Sequence, residues 1–249
     1  MIQGIQRIDI CNIPVDVLTM KQTVEIIDEA ISKKSSILHG AINAAKLVNA
    51  QKNNFLKTSL LNCDIINADG KAIVWASKLL KRPLPERVTG IDLMDALVKL
   101  ATGKKYKIFF FGAKENVVQN VVEKYSNEYG NDIIAGYRNG YYDKKDEGEI
   151  AKEIANSHAD ILFVAITSPR KEIFLNEYKK IINVPFIMGV GGSFDVVAGI
   201  VKRAPKWMQD AGLEWLFRVI QEPRRMWKRY LITNSMFIYM ILKEIIFEI

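Results

Sequence analysis

The length, composition and charge of the chain narrow its class. With 249 residues, 49% of them hydrophobic, it can bury a sizeable core and form one large α/β domain, or a domain with an appendage. The net charge of +7 indicates an anionic partner, which would be a nucleotide, a nucleic acid or an acidic membrane surface. Two cysteines and two histidines argue against a disulfide framework and a histidine-based metal centre, so we predict a reducing compartment. The N-terminus lacks the charged-then-apolar order of a signal peptide, which indicates the cytoplasm.

The first predicted elements are a short strand or hairpin and a helix. Residues 8–17 alternate loosely between apolar and polar side chains. Thr19 and Gln22 have the spacing of a capping box, and the apolar residues behind them fall on one helical face. This helix is expected to be structural.

The next two predicted strands end in polar residues. Residues 37–43 form an apolar run that ends at Asn43. In residues 63–70 an apolar Ile-Ile pair ends in Asn67, Ala68, Asp69 and Gly70 before a helical pattern. A carboxylate at the carboxyl end of a strand lies where α/β folds bind their ligands, so Asp69 is the first catalytic candidate. The alternative is an Asp-Gly turn or a helix cap. Residues 82–87 contain two prolines and predict a loop. The structural role open to Arg87 in this loop is an ion pair with Asp92 at the surface.

The strand, polar loop and helix pattern recurs in the middle of the chain. Residues 106–111 lead into Gly112, and residues 160–166 lead into Thr167. Residues 136–142 predict a loop whose aromatic side chains either stack on a base or sugar or pack at the surface. The pattern indicates a Rossmann-like, mostly parallel sheet flanked by helices, with five loops along one edge. These loops begin at Asn43, Asp69, Gly112, Thr167 and Gly189.

Residues 185–205 form the most informative stretch of the sequence. An apolar run empties into a glycine-rich turn and then a predicted helix that starts at Ser193. Glycine lets backbone N–H groups approach an anion, so a phosphate would suit this turn. The alternative is a tight strand-to-helix connection without a ligand. The residues of the predicted turn are Gly189, Gly191, Gly192, Ser193 and Asp195.

The C-terminal region is both basic and apolar. Residues 202–229 contain eight Lys or Arg residues and three acidic ones, and therefore contribute +5 of the net charge. Residues 207–220 predict an amphipathic helix that ends at Pro223, and the apolar residues 236–247 look too short to span a bilayer. Basic residues beside Trp and Tyr suit a membrane interface. An interface between copies of the chain, as in a homo-oligomer, and packing on the chain's own core are the alternatives.

The sequence lacks several common catalytic motifs. It has no Asp-x-Asp, His-Glu-x-x-His, Cys-x-x-Cys, P-loop or Gly-x-Ser-x-Gly. A carboxylate, a phosphate-type turn and many cations remain. That set fits metal-independent transfer from a phosphorylated donor without a cofactor, in which a carboxylate takes the acceptor proton and cations stabilise the leaving phosphate.

Seven ordered motifs together resemble the WecG/TagA/CpsF family of bacterial glycosyltransferases. The resemblance implies an inverting, metal-independent enzyme of surface-polymer synthesis, such as teichoic acid. It would move N-acetylmannosamine or a related sugar from a UDP donor to polyprenyl-diphosphate-linked N-acetylglucosamine, at the inner face of the cell membrane. It also implies a catalytic domain of residues 1–199 and a helical, membrane-associating appendage of residues 200–249. The motifs are NADG (67–70), RVTGIDL (87–93), FFFGAK (109–114), FVAITSPRKE (163–172), GVGGSFDVVAG (189–199), KRAPKWMQ (202–209) and GLEWLFRVIQEPRR (212–225).

The resemblance also implies roles for individual residues. Asp69 matches the general base, Asn43 an active-site amide and Arg87 an arginine near the sugar. The loop from Gly189 to Asp195 matches the nucleotide-side turn, whereas Gly112 is a nucleotide-binding candidate only from its place after a predicted strand. Two positions near the expected donor sugar depart from the family pattern, namely Ala41 and Lys171. Thr167, where glycine is common in the family, also bears on the identity of the donor sugar. Arg218 and Arg225 match arginines expected at the lipid diphosphate, and the basic residues Lys228 and Arg229 that follow are predicted to bind it too.

Two other classes compete with the transferase. A non-catalytic, membrane-bound nucleotide or diphosphate-binding protein would bind UDP without turnover. Nucleic-acid binding is suggested by charge alone, and the clustering of that charge beside an apolar tail favours the membrane instead, so we expect no nucleic-acid partner. A dehydrogenase is weaker still, because neither glycine-rich turn fits G-x-G-x-x-G.

Overall fold

The computed structural model describes residues 4–247 of the chain, except for the side chain of Arg225. The strands in that range are β1 (Arg7–Ile10), β2 (Ile13–Asp16), β3 (Ile37–Ile42), β4 (Ile65–Ala68), β5 (Ile108–Gly112), β6 (Ile134–Arg138), β7 (Ile161–Ala165) and β8 (Phe186–Gly189). The α-helices are α1 (Met20–Ser32), α2 (Ala44–Lys52), α3 (Asn54–Leu61), α4 (Lys71–Leu79), α5 (Gly90–Lys104), α6 (Glu115–Tyr129), α7 (Glu147–Asn156), α8 (Arg170–Ile182), α9 (Ser193–Val197), α10 (Lys206–Asp210), α11 (Glu214–Gln221) and α12 (Pro223–Phe247).

The N-terminal residues form the predicted hairpin. Strands β1 and β2 pair antiparallel, and the two residues between them, Cys11 and Asn12, have φ values of 49° and 59°. A two-residue turn with both φ angles positive matches the twist of a hairpin. Asp16 at the end of β2 is buried and accepts hydrogen bonds from Arg7 Nε (2.6 Å) and from the amide of Ile66 in β4 (2.6 Å).

Within the described residues, six strands form one sheet in the order β4-β3-β8-β7-β5-β6. The pairs β3 with β8, β8 with β7, β7 with β5, and β5 with β6 are parallel. The predicted α/β fold with a mostly parallel sheet is confirmed. The prediction of a loop over residues 136–142 is wrong for its first part, because Ile134–Arg138 forms the edge strand β6. An edge strand pairs on one side only, so its glycine and polar residues are tolerated.

The central strands are apolar throughout because both faces of the sheet are covered. Every residue of β5 and of β7 is buried, as is usual for parallel strands between helical layers. The ring of Phe110 in β5 lies 5.9 Å from that of Phe163 in β7 and 5.9 Å from that of Phe194 in α9. The contact of Phe194 fixes the end of the glycine-rich turn to the centre of the sheet.

The chain divides into two compact units. Unit 1 consists of Met1–Thr19, Ala41–Thr89 and Arg203–Ile249, and unit 2 consists of Met20–Gly40 and Gly90–Lys202. Helices α10 to α12 therefore belong to the same unit as β4 and α4. The division into a catalytic domain of residues 1–199 and an appendage of residues 200–249 stays a prediction, since compactness does not show which part folds independently.

The apolar part of the C-terminal helix is longer than the sequence analysis predicted. Within the described residues, Met226–Phe247 of α12 is one helix long and apolar enough to cross a bilayer by length and composition. The sequence analysis counted uninterrupted apolar runs, whereas Thr233, Asn234 and Ser235 interrupt the apolar stretch without adding charge. Only 22% of its most apolar stretch is buried, so most of it faces outward.

Candidate active site

Two backbone hydrogen bonds in unit 1 gather the three predicted catalytic residues. The amide of Asp69 donates to the carbonyl of Ile42 (2.8 Å), so the carboxyl ends of β3 and β4 lie side by side. The amide of Val88 donates to the carbonyl of Ala68 (2.8 Å). Asn43 and Arg87 are the chain neighbours of these bonded residues, and both therefore lie beside Asp69.

Asn43 is held by the helix that follows it. Its side-chain oxygen accepts a hydrogen bond from the amide of Lys46 (2.9 Å) and caps α2. Such a cap satisfies one of the unpaired N–H groups at the start of a helix. The amide nitrogen is therefore the end of the side chain that a substrate would meet.

Asp69 is half-buried and stands between β4 and α4. The N-cap of α4 is Gly70, which makes no side-chain cap, so Asp69 lies one residue before the cap. A Cβ on Gly70 would lie 3.6 Å from the Cβ of Asn43, which shows how closely the two strand ends approach. The carboxylate occupies the position at a strand's carboxyl end where α/β folds bind ligands.

Arg87 pairs with a residue that the sequence analysis did not select. Its Nη1 donates to Oε2 of Glu214, the first residue of α11, and the Arg87 side chain is only 11% exposed. The suggested partner for a surface pair was Asp92. The sequence shows a glutamate at the start of an amphipathic helix, but spacing along the chain does not indicate which distant residue it pairs with.

The turn before Glu214 lies against α4. Gly212 has φ of +70°, and a Cβ there would come within 2.6 Å of the Trp75 ring and 3.0 Å of Lys71 Cβ. Only glycine fits so close an approach with a positive φ. Helices α10 and α11 are therefore fixed to the helix that begins just after Asp69.

In unit 2, three strand ends lie level at one edge of the sheet. Gly112 of β5 pairs with Ala165 of β7, and Val164 pairs with Gly189 of β8. Gly112 has φ of +119°, and a Cβ there would lie 2.6 Å from the carbonyl carbon of Ala165. This close approach explains the glycine, and a contact between Gly112 and a substrate stays a prediction.

Lys171 and Gly189, both predicted to bind substrate, are adjacent. A Cβ on Gly189 would lie 2.7 Å from Cε of Lys171, so the lysine stem runs over the bare glycine. The Lys171 side chain is buried, with Nζ 3.4 Å from Oε1 of Glu172. Thr167 is exposed one turn earlier, and its carbonyl accepts from the Lys171 amide (3.1 Å).

The glycine-rich turn folds as its composition predicts. Gly191 is exposed with φ of +53°, and the predicted helix begins at Ser193. Ser193 Oγ donates to the carbonyl of Val190 (2.8 Å), and the carbonyl of Asp195 accepts from the amides of residues 200 and 201. Helix α9 has only five residues, so any anion binding would depend on the turn's own N–H groups, including that of Gly192.

A pocket of about 480 Å³ opens beside the β5 end in unit 2. Lys114, Glu115, Asn139 and Tyr141 line it, and the Tyr141 ring is 70% exposed. Asn139 Nδ2 donates to Oε2 of Glu115 (2.7 Å), and its Oδ1 accepts from the amide of Tyr141 (3.0 Å). These bonds hold the aromatic loop against the start of α6.

The next residue, Tyr142, fixes this loop through contacts with Arg170. The guanidinium of Arg170 lies 3.9 Å from the centroid of the Tyr142 ring and donates to the Tyr142 carbonyl (2.6 Å). Arg170 Nε also lies 3.9 Å from Oε1 of Glu147, which is buried. Burial raises the pKa of the Tyr142 hydroxyl, while the nearby Arg170 opposes this. Arg170 thereby joins the loop to the start of α8, next to Lys171.

The residues predicted to meet the lipid diphosphate lie on α11 and α12. Arg218, Lys228 and Arg229 are exposed, and the side chain of Arg225 lies outside the described part of the structure. One stripe of α12 is buried, namely Met226, Thr233, Phe237, Ile241 and Glu244. The outward side is apolar, with Trp227, Leu231, Ile238, Tyr239, Leu242 and Ile246 each more than half exposed.

Comparison with known proteins decides the family. Residues 8–248 match the glycosyl transferase WecG/TagA/CpsF family. The chain belongs to this family. It is 42% identical over 172 residues to the N-acetylglucosaminyldiphosphoundecaprenol N-acetyl-beta-D-mannosaminyltransferase of Bacillus subtilis strain 168. The protein of the same name from Bacillus spizizenii strain W23 is 38% identical over 182 residues. The matches cover 69% and 73% of this chain, and 66% and 70% of those two relatives.

Membership of the WecG/TagA/CpsF family confirms the resemblance read from the sequence motifs, and with it the assignment as a glycosyltransferase. Both relatives are named for transfer of N-acetylmannosamine to a lipid-linked N-acetylglucosamine.

Proposed function

We propose that the protein is an inverting transferase that moves N-acetylmannosamine, or a related sugar, from a UDP donor to polyprenyl-diphosphate-linked N-acetylglucosamine. The observation that carries this proposal is the pair of backbone hydrogen bonds that brings the chain at Asn43 and at Arg87 next to Asp69 at the strand ends of unit 1. The names of the two relatives support the same sugar and acceptor. In a bacterium this reaction would serve cell-surface polymer synthesis.

The chemistry assigns one role to each residue of this group. Asp69 takes the proton of the acceptor hydroxyl as the oxygen attacks the anomeric carbon of the donor. The bond from that carbon to the diphosphate breaks, and UDP leaves from the opposite face, so the configuration inverts. Arg87 offers positive charge to the departing diphosphate, and the Asn43 amide orients a sugar hydroxyl.

The donor side of the proposal rests on unit 2. The exposed ring of Tyr141 suits stacking on the uracil base, and the N–H groups of the turn from Gly189 suit a diphosphate. Lys171 lies against this turn and would contact the donor. Since Lys171 and Ala41 depart from the family pattern, they are our candidates for residues that adjust the choice of donor sugar.

The acceptor side rests on the C-terminal helices of unit 1. The apolar outward side of α12 suits the hydrocarbon boundary of a membrane, and Lys228 and Arg229 at its start suit lipid phosphates. Arg218 would meet the acceptor diphosphate. These features support our proposal that the protein is bound peripherally at the inner face of the cell membrane.

An assay of UDP release tests the proposal. The protein is incubated with a short polyprenyl-diphosphate-GlcNAc analogue and a panel of UDP-sugars, with EDTA present throughout. The expected result is release of UDP with one donor only, dependent on the acceptor and insensitive to EDTA. Measurable UDP binding without release from any donor would contradict the proposal and favour a non-catalytic nucleotide-binding protein.

A further inference from the structure

The ion pair between Arg87 and Glu214 joins the C-terminal helices to the catalytic group of unit 1. The two side chains are 11% and 31% exposed, so water and salt screen the pair less than a surface pair. Guanidinium-carboxylate hydrogen bonds also fix direction as well as distance. Glu214 therefore restricts where the Arg87 guanidinium points.

The carboxylate of Glu214 is itself held in place. It belongs to the first residue of α11, two residues after Gly212, whose Cα lies against Trp75 and Lys71 of α4. Helix α4 begins two residues after Asp69. The packing of Gly212 on α4 consequently fixes the backbone at Glu214 relative to the candidate base, Asp69.

Helix α11, which begins at Glu214, also carries Arg218, a candidate for binding the acceptor diphosphate. Arg218 lies one turn after Glu214 in α11, and the ring of Trp215 lies 5.9 Å from that of Tyr230 in α12. Helix α11 is therefore in contact with both Arg87 and the helix proposed to lie on the membrane.

We propose that Glu214 is a positioning residue of the transferase, which holds Arg87 beside Asp69 so that its remaining N–H groups face the reacting phosphate. A guanidinium has five N–H donors, and the contact with Glu214 uses one of them. This inference rests on the proposed function. Its chemical consequence is that loss of the Glu214 charge weakens stabilisation of the transition state more than binding of the donor.

The test measures kinetics with a detergent-soluble acceptor analogue, so that membrane binding does not limit the rate. For Glu214→Gln we expect kcat to fall about tenfold while KM for the donor changes by less than about twofold. Glu214→Asp keeps the charge and recovers part of the loss. In an Arg87→Met background, Glu214→Gln has no further effect, because Glu214 acts through Arg87.

Glu244→Gln is the matched control. Glu244 of α12 also pairs with an arginine of unit 1, Arg82 (3.2 Å), with exposures of 7% and 42%. This variant should keep a kcat near that of the wild type. Equal losses of kcat for the two variants, in proportion to their losses of Tm, would show a merely structural role and overturn the inference alone. A further loss in the Arg87→Met background would also overturn it, whereas an inactive wild type would overturn both this inference and the proposed function.

Discussion

At the scale of single residues, backbone geometry decides what each candidate can do. Asp69 and Arg87 are 18 positions apart, and their backbones come close because the amide of Val88 bonds to the carbonyl of Ala68. Gly112 is a different case, because its positive φ and its close approach to Ala165 already explain why the residue is glycine, without a ligand.

Replacement of Asp69 by asparagine should remove the general base while keeping the size of the side chain. We expect kcat to fall by about a thousandfold, with Tm and UDP binding close to those of the wild type. Asp64→Asn is the control, because Asp64 is also half-buried and precedes the other end of β4. Near-normal turnover of Asp69→Asn would contradict the assignment of the base.

Replacement of Gly112 by alanine should destabilise the protein. A Cβ at φ of +119°, only 2.6 Å from the Ala165 backbone, forces β5 and β7 apart, at a cost of about 3 kcal/mol in the free energy of unfolding. Gly103→Ala in the exposed end of α5 meets no atom within 4 Å and should stabilise by about 0.5 kcal/mol. Urea unfolding of both variants measures the difference, and equal effects would be inconsistent with this reading.

At the scale of elements, two clusters of side chains, one at Arg170 and one at Glu244, join segments that are distant in sequence. Arg170 at the start of α8 holds the loop of Tyr141 through Tyr142 and Glu147. At the other end of the chain, Glu244 of α12 accepts hydrogen bonds from the amide of Cys11 (2.7 Å) and from Arg82.

Removal of the Arg170 guanidinium should leave a buried carboxylate without its cation. Glu147 is 3% exposed, so Arg170→Met is expected to lower the free energy of unfolding by about 2 kcal/mol. Arg138→Met breaks a pair whose side chains are 36% and 42% exposed and should cost less than about 1 kcal/mol. Thermal unfolding compares the two variants, and a larger loss for Arg138→Met would refute the explanation.

The hairpin turn should carry an unreactive thiol. Burial and the carboxylate of Glu244 raise the pKa of Cys11 from 9.0 to about 12. Because the neutral thiol is favoured in the folded state, its contribution to stability is complete below pH 9 and is lost as the pH rises towards 12. In a Cys63→Ala background, iodoacetamide at pH 8.5 should modify Cys11 slowly, and Glu244→Gln should accelerate the reaction. Fast modification of the parent would argue against this account.

At the scale of the whole molecule, charge and apolar surface coincide at the C-terminal end. Residues 202–229 contribute most of the net positive charge, and α12 exposes an apolar side directly behind them. The buried stripe of the same helix packs within unit 1, so variants of the exposed side are cleaner tests than truncation.

Charge on the exposed side of α12 should prevent vesicle binding without unfolding the protein. Ile238 and Leu242 are 58% and 53% exposed and one turn apart. We expect Ile238→Glu/Leu242→Glu to weaken binding to vesicles that contain anionic lipid by about tenfold or more, through lost apolar burial and charge repulsion. Ile181→Glu on α8, 45% exposed, is the control. Unchanged vesicle binding by the double variant would exclude this side of α12 as the membrane contact.

The sequence by itself determined the fold class, the strand ends and the family. Buried parallel strands are continuous apolar runs, and the polar or glycine residues that end them at Asn43, Asp69, Gly112 and Thr167 are local signals. The same local reading failed for β6, an edge strand with loop-like composition, and for the length of α12, where polar residues interrupt the apolar run.

Only the tertiary structure decided which distant residues meet. The pairing of Arg87 with Glu214, of Lys171 with Gly189 and of Glu244 with Arg82 depends on how strand ends and helices are brought together in three dimensions. Side-chain period and composition describe a residue's neighbours along one helix or strand. Partners on other elements are selected by packing, which no local pattern encodes.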